Sequence, residues 1–163
     1  MAEIDLPDLV LRSSYSSEHE FLSACYAYFV ADFLTEKPTF DGLPCRLKRF
    51  PYRDGREATF YHFTTEGPIE EERQTDEDRL ERIRWPRPVI ERCREWGIKI
   101  WPQNRGGRMR LCIWVEEFDY CVILDLREKY FIPWATFMTR YPHERRAKRK
   151  EYQAYVDSQK NQR

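Results

Sequence analysis

This sequence predicts an α+β chain: N-terminal helices, a central antiparallel sheet of about four strands, and a basic C-terminal helix. Two observations carry that expectation. Apolar residues recur at helical spacing early in the chain, at Phe21, Leu22, Cys25, Tyr28, Phe29, Ala31 and Phe33. From Ile98 onward the period changes. Ile98–Trp101, Met109–Glu116, Tyr120–Leu126 and Tyr130–Met138 are short and aromatic or β-branched, and tight links at Arg105-Gly106-Gly107 and Glu117-Phe118-Asp119 favour an antiparallel meander.

Taken in order, residues 1–15 read as an extended or loosely docked arm. Ser17 and Glu20 have capping-box spacing ahead of a helix that runs to about Leu34. Pro38 and the Asp41-Gly42-Leu43-Pro44 turn end it. Cys45–Phe50 and Ala58–Phe63 read as two short strands joined around Arg53-Asp54-Gly55. Asp76 is placed to cap a helix running towards Trp85. Pro86 breaks that helix, and Pro88 suits the first turn of another, from about Pro88 to Trp96, stopped by Gly97. The last helix, His143 to about Lys160, offers Tyr152, Tyr155 and Val156 to the sheet and its basic residues to solvent.

The 163 residues are the length of one domain, with residues 1–45 as an acidic helical extension. A hydrophobic content of 41% and aromatic content of 15% exclude an intrinsically disordered chain. Lys+Arg 28 equals Asp+Glu 28, which argues against a generic polyanion binder. The distribution is uneven. Residues 1–36 hold seven acids and one base, Arg12, while residues 127–163 hold ten bases and four acids. Such asymmetry points to a basic surface at one end, or to two solvated helices of opposite charge. Five cysteines without a CxxC pair or Cys/His cluster read as buried free thiols in a reducing compartment, with no metal site. The start MAEIDLPDL is not a signal sequence and no run of 18 apolar residues exists, so a cytoplasmic protein with no membrane partner is expected. No Walker loop, Rossmann glycine pattern, GxSxG elbow or HExxH is present, and no cofactor is expected.

The block from His62 to Arg87 carries the chemistry. His62 lies in the aromatic run Phe60-Tyr61-His62-Phe63, and an imidazole passes protons in either direction near neutrality. The bland alternative is a hydrogen-bonded, half-buried histidine. His19 and His143 read as surface or capping residues. Arg79, Arg82 and Arg84, with Arg73 before and Arg87 after, bring guanidinium forks that suit phosphate. Asp76, Glu77, Asp78 and Glu81 lie among them, and interleaved signs usually mean intrahelical ion pairs. The densest basic run is Arg140, Arg145, Arg146, Lys148, Arg149 and Lys150, interleaved with Tyr141, Tyr152 and Tyr155, a composition suited to RNA backbones and bases.

The pattern His62…Glu66…Glu72-Arg73…Arg79…Glu81-Arg82-Ile83-Arg84-Trp85-Pro86-Arg87-Pro88, then Tyr120–Leu124, Trp134-Ala135-Thr136 and Tyr141–Arg146, resembles phage- and plasmid-borne proteins of the barnase, EndoU, colicin and RelE-like nuclease superfamily. The resemblance covers about residues 58–155. It implies a four-stranded antiparallel sheet with helices packed before it, and metal-independent RNA cleavage with the 2′-hydroxyl as internal nucleophile. It further implies His62, Arg82 and Thr136 as catalytic residues, Thr136 lying near the scissile group. Arg73, Arg79, Arg87, Arg140, Arg145, Arg146 and Arg149 would then hold the nucleic acid. The implied protein is a growth-inhibiting toxin or phage-defence factor, whose implied partners are RNA, free or on the ribosome, and a cognate antitoxin or other inhibitory protein. Two rivals stand beside it: a non-catalytic RNA- or protein-binding module on the same scaffold, and an inhibitor that uses acidic residues 1–36 as a polyanion mimic.

Overall fold

The computed structural model describes residues 2–162 and has the α+β architecture. Helix α1 (Glu18–Val30) starts where Ser17 Oγ accepts from the Glu20 amide at 3.1 Å. Half of the capping box forms; the Glu20 carboxylate turns to Ser16 instead. Phe21, Cys25 and Phe29 follow at intervals of four, and a π-turn over Ala31–Thr35 carries the row on to Phe33, so one stripe of the helix is buried. Strands β1 (Thr39–Phe40) and β2 (Leu43–Pro44) make a two-residue hairpin over Asp41-Gly42, both left-handed.

Residues 45–63 depart from the sequence reading. Only Cys45 bridges the sheet, pairing with Phe131, and the segment after it is a loop. Residues 58–63 belong to helix α2 (Ala58–Thr64), not to a strand. Period-two alternation in so short an aromatic run does not separate strand from buried helix. Context decides. Ala58, Thr59, Phe60 and Phe63 are all buried, and Phe60 and Phe63 pack on Phe29. α2 has no side-chain cap. Its first amides are satisfied by the preceding loop, Ala58 N–H donating to Arg49 O at 3.0 Å and Thr59 N–H to Lys48 O at 2.9 Å.

Strands β3 (Thr65–Glu66) and β4 (Gln74–Thr75) pair as a short ladder. Asp76 then caps α3 (Glu77–Glu81), accepting from the Asp78 and Arg79 amides, as expected. α4 runs over Pro86–Arg92, earlier than the proposed Pro88–Trp96, with Pro86 in its first turn.

The sheet is a meander in the order β5 (Lys99–Arg105), β6 (Arg108–Val115), β7 (Tyr120–Leu126), β8 (Phe131–Met138), all neighbours antiparallel. Gly106 and Gly107, both at positive φ, make the two-residue β5–β6 turn. Leu111, Ile113, Val115, Tyr120, Val122 and Leu124 share one core with α1–α4; Trp101, Cys112, Trp114, Cys121 and Ile123 form a second cluster on the other side. α5 (Pro142–Lys160) has no buried residue, and Tyr152 and Tyr155 rest against that second cluster.

The arm at residues 2–15 is docked rather than loose. Val10 is buried, its amide donates to Glu81 O at 2.9 Å, and Trp85 Nε1 donates to Pro7 O at 2.8 Å. All five cysteines are buried thiols, and burial pushes Cys25 and Cys45 up to about 12. No described helix is long and apolar enough to cross a membrane.

Candidate functional site

His62 sits on the last turn of α2, where the helix packs against β8. Its side chain is 14% exposed and its Nε2 lies 3.1 Å from Glu70 Oε1. The imidazole also stacks on the Trp134 indole, with ring centroids 5.7 Å apart and planes at 26°. Burial lowers the imidazole below its ordinary value near 6.5. Glu70 pulls it upward, and Arg73 and Lys48 push it down again. The net direction leaves His62 neutral at pH 7. Glu70 lies beside Nε2 as a charge partner and not as an aligned hydrogen-bond acceptor. With the proton on Nε2, Nδ1 keeps the lone pair a general base requires.

Trp134 reaches this position through a bulge. β7 and β8 pair Ile123 with Ala135 and Leu124 with Pro133, so Trp134 is the extra residue in the ladder. Bulges bend a strand and re-aim a side chain, and they recur beside active sites. The indole also receives the Arg110 guanidinium at 3.8 Å from its centroid and the Lys48 ammonium at 5.6 Å. Beyond it opens a cavity of about 220 Å³ lined by Gln103, Arg110, Ile123, Trp134, Phe137 and Lys148. Imidazole, indole and three cations are thus contiguous across the edge of the sheet.

Glu70 is positioned by its own backbone. Its carbonyl accepts from Tyr61 Oη at 3.1 Å and from Arg53 Nη2 at 3.1 Å, and Arg53 also bonds Tyr61 Oη at 2.8 Å. The turn that carries the carboxylate is therefore tied to the same helix that carries the histidine.

The other residues anticipated from sequence are differently employed. Thr136 is buried and its Oγ1 donates to Phe63 O at 3.0 Å, joining β8 to α2. Arg82 donates to Asp78 O at 3.0 Å and lies 5.2 Å from the Trp85 centroid. Arg73 clamps the β3 strand through Thr65 and Gly67. Arg79 pairs with Asp76 at 3.1 Å and donates to Thr65 O. Arg87 holds Glu91 and the Asp32 and Glu36 carbonyls at the end of the first helical segment. Arg140 grips the buried Asp76 at 2.7 and 2.8 Å, and also meets Asp78 and Glu66. In α5, Arg145 pairs with Asp119 and Arg149 with Glu116, while Arg146 is exposed.

Of the anticipated residues, only Arg73 is among the charges that act on His62; Glu70, Lys48, Arg110 and Trp134 were missed. Among the described residues no group of three His, Cys, Asp or Glu side chains is arranged to hold a metal ion. A scan against protein-family models, a comparison with curated proteins and a comparison with solved structures find no match to this chain.

Proposed function

We propose that the chain is a metal-independent endoribonuclease with His62 as its proton-transfer residue. The observation that carries this reading is the half-buried imidazole held 3.1 Å from Glu70 and stacked on Trp134, with Lys48 and Arg110 on the same indole. Nδ1 of His62 accepts the proton of an RNA 2′-hydroxyl. The 2′-oxygen attacks the adjacent phosphorus, the bond to the 5′-oxygen breaks, and that oxygen leaves with a proton from solvent. The products are a 2′,3′-cyclic phosphate and a 5′-hydroxyl. Glu70 stabilises the imidazolium that forms, and Lys48 and Arg110 offset the charge that builds on phosphate. Trp134 orients the imidazole and holds Arg110 and Lys48 beside it.

The test is incubation of purified protein with RNA in excess chelator and analysis of the ends. Wild type should generate cyclic phosphate ends, and His62→Ala should lose the activity while remaining folded. Equal cleavage by the variant would remove His62 from the mechanism. In a bacterial host, the same reading expects growth arrest with RNA fragmentation on induction, relieved by His62→Ala.

A second reading, an RNA-binding module without catalysis, is favoured by the way Arg82, the arginine anticipated as catalytic, is spent on the Asp78 carbonyl and the Trp85 ring. RNA binding without cyclic phosphate ends would select it.

A further inference from the structure

The loop that caps α2 is a second cationic stretch, apart from the basic run of α5. Residues 46–57, RLKRFPYRDGRE, carry five bases and two acids. One of those acids, Glu57, is buried and accepts from Tyr26 Oη at 2.9 Å, so Asp54 is the one acid of the stretch at the surface. Two large aromatic side chains stand out from the same loop. Phe50 is 71% exposed and Tyr52 44%, with ring centroids 4.9 Å apart and planes nearly perpendicular. No burial accounts for their position.

The loop is fixed at both ends. The Lys48 and Arg49 carbonyls cap α2, Lys48 N–H donates to Thr59 Oγ1 at 2.9 Å, and a turn at Asp54-Gly55 closes the Arg53–Arg56 bridge. Arg53 lies over the Tyr61 ring at 3.9 Å and binds the Glu70 carbonyl. Exposed rings on a pinned backbone lose little freedom when a flat partner settles on them. Lys48 leads from the loop to Trp134 and acts electrostatically on His62. Lys48 thus belongs both to the loop and to the surroundings of the proposed catalytic pair.

We infer that Arg49, Phe50 and Tyr52 form a binding site for single-stranded RNA, in which the two rings stack on unpaired bases and Arg49 takes a phosphate, delivering the strand past Lys48 to His62. The inference rests on the reading of RNA as substrate. Charge selects a polyanion, and exposed rings with a π-face require bases that are not already stacked in a duplex.

The test uses the full chain and a fluorescent 2′-O-methyl RNA 12-mer, which lacks the nucleophile and is not cut, with binding followed by anisotropy. Phe50→Ala/Tyr52→Ala should bind about tenfold more weakly or worse, the loss usual for removed base stacking. Phe50→Trp/Tyr52→Phe should bind like wild type. Arg49→Gln should reduce the slope of log K against log salt by about 0.7, one phosphate contact on a single strand. A matched duplex should bind more weakly than the single strand. Both aromatic side chains are exposed, so the variants should melt like wild type.

Unchanged binding by the double alanine variant, in a protein that still cuts RNA, overturns the site and leaves the nuclease reading standing. Weakened binding, with a wild type that never cuts RNA, keeps the site and overturns the nuclease. Absence of oligomer binding by wild type overturns the site. So does self-association that the double variant abolishes, which would make the patch a contact between copies.

Discussion

At the scale of single residues, His62 and Asp76 respond to acid in related ways. The folded chain holds His62 neutral below the value an exposed imidazole would have, because burial penalises the cation. Above about pH 6.5 both folded and unfolded chains carry a neutral imidazole, so the group is silent. As pH falls from there towards the folded value, the unfolded chain binds the proton first and stability declines. His62→Gln should flatten that part of a pH–stability curve measured by urea unfolding. The acid limb of cleavage should correspondingly lie below pH 6.5. Asp76 is held below the ordinary carboxylate value because Arg140 and Arg79 outweigh the opposing effect of burial. Its contribution is complete above about pH 4 and is lost as pH falls through the folded value. Asp76→Ala removes a helix cap and strands Arg79, and should cost about 3 kcal/mol in the same measurement. The sequence made His62 legible as a proton carrier but not its companions. Glu70 is one of three consecutive glutamates, Glu70-Glu71-Glu72, and only the Tyr61 and Arg53 bonds to its carbonyl distinguish it. Trp134 depends on a bulge, which leaves no mark in a strand of aromatic and small residues.

At the scale of elements, the sheet and its links were readable because glycines and periodicity state them directly. β7 spans Tyr120–Leu126 as expected, and β5, β6 and β8 keep their identity with shifted ends. The failure at α2 has a physical cause. Its apolar residues face α1 on one side and β8 on the other, so burial on several faces erased the helical period. Its cap is a loop backbone rather than a side chain, and no residue type announces that. Thr59 joins the two elements, its hydroxyl donating to Lys48 O and accepting from Lys48 N–H. Thr59→Val leaves both backbone groups without that partner and should cost about 2 kcal/mol in urea unfolding. If the loop's geometry matters for function, RNA binding should weaken with it.

At the scale of the molecule, the acidic N-terminal region is a structural part of the core. Phe21, Cys25, Phe29 and Phe33 belong to the same buried cluster as the sheet residues Ile113, Val122 and Leu124. Deleting residues 1–36 should therefore abolish the cooperative thermal transition in circular dichroism, instead of releasing a screened active protein. Removing only residues 1–12 exposes the ground under Val10 and frees Trp85 Nε1, and should cost about 3 kcal/mol. The two outer strands of the sheet bear on how copies of the molecule meet. β5 contains Pro102 and β8 contains Pro133, each lacking the amide that a further strand would bind. Neither border offers an uninterrupted template for backbone zippering, so fibrillar growth by strand-upon-strand addition is discouraged at both ends of the meander even in concentrated solution.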